Sequence, residues 1–354
     1  MSRIYLDHAA TSPLRPEARA AMEEGFAIWA NPSSPHAEGR KAKAALEDAR
    51  ERCKAALGWD GELIFTSGAS EAARIAFDNA DVMHEAVSAI EHDAIHGFVK
   101  ERAVAEIPVG NDGQVNLTSV AQEAGPSAIA GEVVENRSLI AVQHVNSETG
   151  TMQNIAQVAE VVHGSGGLLL VDCAQSAGKM EIPKEADMVI VGAHKFGGPI
   201  GIGALLVKEF NMLTPSGGHE RGYRRGTENM PAALGMAAAL EADPWPNLDF
   251  SHISRFGERY EEQQPATGQS HAHHILALEH PTMSAQALLI RLDAMGFAVS
   301  AGSACSSGTL KKSRVLDAFG VDDDTASRTI RVSLGWNTTP EELDAFAEAW
   351  KSLS

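Results

Sequence analysis

The 354-residue chain has only three cysteines, Cys53, Cys173 and Cys305, far apart in sequence. They form no CxxC pair and no metal-ligand spacing, so neither a disulfide framework nor a metal site is expected. An odd, sparse count suits a reducing compartment. Long apolar runs are also missing: none nears the roughly 18–20 residues of a membrane span. The N-terminal stretch MSRIYLDHAATSPLRPEA has no basic segment ahead of an apolar core. No secretory signal is read there, and a cytoplasmic protein is the expectation. Positive charge is in deficit, with 29 Lys and Arg against 47 Asp and Glu and a formal net charge of −18. That balance argues against a nucleic-acid partner, which needs basic patches, and reads first as solubility. Neither an internal repeat nor a low-complexity segment is visible.

What is present is a rhythm. Short apolar runs such as SAIEH, LIAVQHV, LLLVDCAQ, DMVIVGAHK and IGALLV alternate with helical spacing. GRKAKAALEDARERCKAALG reads as an amphipathic helix closed by Gly58, and NIAQVAEVVHGSG as one opening beside Asn154. Strand, helix, strand in series means a mostly parallel sheet with helices on its faces, an α/β fold. After about Glu241 the rhythm changes. A proline-rich connection, ADPWPNLDFS, leads to HILALE, SAQALLIRLDAMG, FAVSAG, TIRVSLG and TPEELDAFAEAWKSL, which read as a smaller α+β lobe. Two domains are expected: a large one over residues 16–240, and a small one from residues 1–15 and 241–354.

Open α/β sheets bind ligands beyond the carboxyl ends of their strands. Polar residues gather at those apparent ends. In FTSGASEAAR, a turn opens a helix whose free N–H groups and Ser70 hydroxyl suit an anion, although a plain serine cap explains them as well. In LLLVDCAQS, Asp172 ends an apolar strand, where a buried carboxylate needs a partner. A pyridinium nitrogen would be one; capping the next turn is the alternative. In VGAHKFGGPIG, Lys195 follows one strand later, and a lysine amine can form a Schiff base with an aldehyde cofactor such as pyridoxal phosphate (PLP). The glycines after it let backbone pass close to a ring. In SAGSACSSGTL, Cys305 lies in a run too small and flexible to bury it, a plausible setting for a reactive thiol. Cys53 and Cys173 read as buried hydrophobes.

Ten stretches in order now carry a resemblance: YLDHAATSPL, NPSSPHAEGR, FTSGASEA, EHDA, HVNSETG, VDCAQSAGK, AHKFGGPIGIGAL, GGHERGYRRGTEN, GSACSSG and IRVSLG. Over nearly its whole length the chain resembles the NifS/IscS-type cysteine desulfurases. These belong to the class V aminotransferase group and have the PLP-dependent transferase fold (aspartate-aminotransferase-like, fold type I). The resemblance implies that Lys195 holds PLP, that Asp172 meets the pyridine nitrogen, and that Gln175 lies near the ring hydroxyl. It implies that His92 stacks on the ring and assists proton transfer, and that Ala69, Ser70 and His194 contact the phosphate. Thr227 resembles a phosphate ligand lent by the other subunit of a homodimer. Arg331 resembles the arginine that binds the substrate carboxylate, a task its fork suits. Cys305 resembles the nucleophile that takes sulfur from L-cysteine as a persulfide, leaving L-alanine and passing the sulfur to an acceptor, as in iron–sulfur cluster assembly.

The chain also departs from the pattern. Ser147 in HVNSETG stands where the family usually has a second asparagine, one that reaches the ring hydroxyl and the substrate carboxylate. Gly192 stands where a phosphate-binding serine is usual. Arg74 often has asparagine in its place; it could add charge near the phosphate, but a solvent-facing or salt-bridged arginine is the simpler reading. The chain stops soon after AFAEAWKSLS, without the long extension some relatives use to dock a scaffold, so delivery to that scaffold is not expected. Two alternatives stay open: another class V PLP enzyme, such as an aminotransferase, a selenocysteine lyase or other amino-acid lyase with an altered substrate, or a catalytically silent paralogue.

Overall fold

Seven strands form the main sheet: β2 (Glu62–Thr66), β3 (His84–Ser88), β4 (Ala105–Ile107), β5 (Ser138–Gln143), β6 (Leu168–Asp172), β7 (Met188–Gly192) and β8 (Gly203–Val207). The computed structural model describes residues 3–125, 137–242, 245, 271–301 and 313–353. Within it the strands lie in the order β2-β8-β7-β6-β5-β3-β4. β8 runs antiparallel to both its neighbours, and the other pairings are parallel. β5 to β8 are buried along their whole length, as expected for strands covered on both faces.

Period-2 alternation assigns side chains to the two faces. Leu63, Phe65, Ala204 and Leu206 join one buried cluster, while Ile64, Leu205 and Val207 join another. Three helices matter for the first face. α1 (Pro16–Ile28) and α2 (Ala37–Leu57) both pack on the helix Met230–Glu241. α2 ends at Gly58, whose φ of 63° is the left-handed geometry expected of a helix-closing glycine. The helix Ile155–Gly164 is capped by Asn154, as its sequence predicts. α3 (Ala69–Asn79) covers the opposite face.

A third buried cluster joins Leu6 to Leu276, Leu278, Ile330, Val332, Phe346 and other residues of the C-terminal part. There β9 (Ile275–Glu279) pairs antiparallel with β11 (Thr329–Ser333). β1 (Ile4–Tyr5) pairs in parallel with β10 (Phe297–Ala298). FAVSAG reads as one strand in sequence, yet only its first two residues are strand; Ser300 returns as an isolated bridge to Arg331. That bridge, with another from Asp7 to Ser333, brings the N-terminal segment and β11 together.

Candidate active site

Five strands of one sense end on the same rim, and each delivers one of the sequence-predicted groups. A cavity of about 700 Å³ opens there. Ala69 and Ser70 follow β2, His92 follows β3, Ser147 follows β5, Asp172 ends β6, and His194 and Lys195 follow β7; all seven line the cavity, as does Arg331 from β11. Gln175 is buried beside the wall, with its Nε2 donating 2.9 Å to the carbonyl of Ala9, a lining residue. Thr227 is exposed and does not line the cavity of its own chain. Cys305 lies outside the described residues.

The β2 end is built largely from backbone. Gly68 caps α3 without any side-chain cap bond, at a φ of 153° that favours glycine. The first N–H groups of α3 therefore face the cavity mouth with the positive end of the helix dipole behind them. Glycine at 203 is required too: a Cβ there would lie 2.8 Å from the Cα of Gly68. Gly192 is different. Its φ is −117°, and a Cβ would sit 3.6 Å from the Ala69 Cβ, ordinary contact distance. A serine would fit, so the departure at Gly192 is not imposed by packing. Arg74 supplies no charge to this end. It is turned to Glu101, at 2.8 and 3.1 Å, with its guanidinium over Phe98.

The β6 and β7 ends carry the titratable groups. Asp172 is nearly buried, and its Oδ1 accepts 2.8 Å from the Ala174 N–H. Burial pushes the Lys195 amine below the usual lysine range, with Arg331 adding to the effect and Asp172 opposing it. Its carbonyl is held by the Ser12 hydroxyl at 3.0 Å. His194 is pushed down to about 4, by burial first and then by Lys195, Lys179 and His92; its Nδ1 meets the Thr11 hydroxyl at 3.2 Å. His92 caps a short helix, with Nδ1 accepting 3.1 Å from the Ala94 N–H. That lone pair is therefore used, the proton of the neutral ring sits on Nε2, and His92 presents a donor rather than an acceptor.

The opposite end is built from side-chain charge. Arg331 donates through Nη2 to Asp7 at 2.8 Å and through Nη1 to the Ser147 carbonyl at 2.9 Å. Its Nε is buried and has no hydrogen-bond partner among the described residues. A buried unpaired donor is costly, and an entering carboxylate would satisfy it. Asn146, rather than Ser147, secures this turn, accepting from the N–H groups of Glu148 and Thr149 at 2.8 and 3.0 Å. Asp7 and Thr11 escaped sequence reasoning as separate residues. The bridge from Asp7 to Ser333 spans most of the chain length, and local pattern carries no such signal.

The group set fits PLP on this structure's own terms: an amine depressed by burial, a carboxylate at a neighbouring strand end, an uncapped helix start and an orphaned guanidinium N–H surround one cavity. Comparison with known proteins agrees. The family model "Aminotransferase class-V" matches residues 4–346. The chain is 33% identical to the cysteine desulfurase IscS of Ectopseudomonas mendocina, over 96% of this chain and 90% of that one. Among solved structures, a NifS-like protein from Rickettsia africae matches with a TM-score of 0.81 at 26% identity, covering 99% of both chains. The structure of SspA in complex with cysteine matches with a TM-score of 0.76 at 27% identity, covering 95% of this chain and all of that one.

Proposed function

The chain belongs to the class-V aminotransferase family and is a PLP-dependent cysteine desulfurase, and on that premise we propose how its cavity divides the work. The carrying observation is that Lys195, with its depressed amine, shares one cavity with Asp172, the start of α3 and the unpaired Nε of Arg331. Bound PLP supplies an electron sink for a carbanion at the substrate Cα.

The residues do the rest. Lys195 Nζ would hold the cofactor, and its depressed amine suits it to take the proton from the substrate Cα. Asp172 would keep the ring nitrogen protonated, and Gln175 would serve the ring oxygen. The N–H groups of Ala69 and Ser70, the Ser70 hydroxyl and His194 hold the phosphate, joined by Thr227 from a second subunit. Arg331 grips the substrate carboxylate, with the Ser147 side chain beside it. His92, a cavity residue, would help hold the ring and offers its Nε2 proton. The Cys305 thiolate attacks the substrate sulfur: an S–S bond forms, the C–S bond breaks, and its electron pair stays on carbon and is protonated to give alanine. Cysteine as substrate is supported by the SspA complex. A sulfur-acceptor protein and a cytoplasmic location belong to the same reading. So does a division into a large domain over residues 16–240 and a small domain from residues 1–15 and 241–354. Among the described residues no helix is long and apolar enough to cross a membrane.

The test uses the purified full chain supplied with PLP and L-cysteine. A visible absorbance band and the release of alanine and sulfide are expected, with the release abolished in Cys305→Ala. A colourless protein would end the PLP assignment. Turnover that survives Cys305→Ala would move the chain to another chemistry of the same family.

A further inference from the structure

The run VDCAQSAGK ends on a lysine that none of these roles uses. Lys179 Nζ donates to Gln175 Oε1 at 3.3 Å and stands 4.9 Å from the centre of the Trp245 ring. Gln175 is bound on its other sides as well. Its Nε2 donates to the Ala9 carbonyl, and its backbone carbonyl meets His274 Nε2 at 2.8 Å. These partners leave the amide one orientation. The Ala9 carbonyl only accepts, so nitrogen faces Ala9, and the amide oxygen is left facing Lys179 as the acceptor of its N–H. Nitrogen then has a second hydrogen to give.

The position is an expensive one for a lysine. Part of the side chain reaches the surface, yet burial holds its ammonium well below the usual lysine range, and the charges of Lys195 and Arg331 push the same way. His8, His194 and His274 feel its charge in turn. Among the described residues no carboxylate pairs with it; the Gln175 oxygen and the face of Trp245 are its compensations. An apolar side chain would fill the space without that cost.

We propose that Lys179 is a positioning residue that locks the Gln175 amide with its N–H toward the ring oxygen of the cofactor. The ring is then held between a carboxylate at its nitrogen and a donor at its oxygen. This rests on the PLP reading above. An N–H donor stabilises the more anionic oxygen, so losing its orientation raises the pH at which the bound cofactor gives up its proton.

The experiment titrates the visible absorbance of the PLP-loaded protein against pH, and measures PLP affinity, for wild type, Lys179→Met, Gln175→Ala and the double variant. Each single change is expected to raise the midpoint by about half to one pH unit and weaken PLP binding about threefold to tenfold. The double variant should match Gln175→Ala, because the lysine acts through the glutamine. A purely structural lysine would lower the melting temperature and leave the midpoint alone. An unmoved midpoint in Lys179→Met, or an equal added shift in the Gln175→Ala background, overturns the proposal. If Lys179→Met does not fold, Lys179→Gln carries the same comparison with a shorter side chain. A wild-type protein with no visible band removes the PLP reading and this proposal together; a normal band indifferent to Lys179 removes only the latter.

Discussion

The two ends of the cavity are built differently. One is the start of α3, where backbone N–H groups and a helix dipole face the opening, with Gly68 and Gly203 allowing the close packing behind them. The other is Arg331, a single guanidinium held by Asp7 and by the Ser147 carbonyl. A backbone-built site survives side-chain replacement, because main-chain donors remain whatever the residue. A site built on one side chain does not. Of the three departures expected from the sequence, Gly192 and Arg74 lie on the α3 side, and Ser147 lies at the other end, where it is the main-chain carbonyl, available from any residue, that holds Arg331.

The contrast can be broken most severely at Arg331. Arg331→Ala should lower kcat/KM for cysteine about a hundredfold, mainly through KM, since a bidentate charged pair is lost. An unchanged KM would place carboxylate recognition elsewhere. Asp7→Asn keeps the shape and removes the charge that orients the guanidinium, so a roughly fivefold rise in KM with little change in kcat is expected. A fall in KM would mean that Asp7 competes with substrate instead of holding Arg331 for it.

The backbone end should respond more gently. Gly192→Ser directs a hydroxyl toward the start of α3 without a clash and should tighten PLP binding about threefold, the worth of one modest hydrogen bond. Weaker binding would show that the space is needed empty. Arg74→Ala should leave PLP affinity unchanged by equilibrium dialysis, because that arginine is engaged with Glu101 and Phe98. A clear loss of affinity would return Arg74 to the phosphate site.

Much of this was legible before folding. Strands buried on both faces announce themselves as short Val- and Ile-rich runs, and a functional residue at a strand end is marked by the break from apolar to polar. Asp172, Lys195, His92 and Ser70 were readable for that reason. For Arg74 the simpler, salt-bridged reading holds, but its partner was not readable, because a residue one helical turn past an anion site lies within reach both of that site and of a neighbouring helix. Glu101, the group that wins, is 27 positions away. Lys179 is given no role by the sequence reading, and only Trp245 and the Gln175 amide reveal its setting.

By itself, then, the sequence determined the alternating α/β pattern, the glycines at obligate turns and the family's chemical residues, since these follow from local periodicity and residue type. Tertiary structure decided which of those residues meet. It set Asp7 against Arg331 across 324 positions, turned Arg74 outward and locked Gln175 between Ala9 and Lys179. Such pairings depend on how strands from distant segments register against one another, and local sequence holds no record of that.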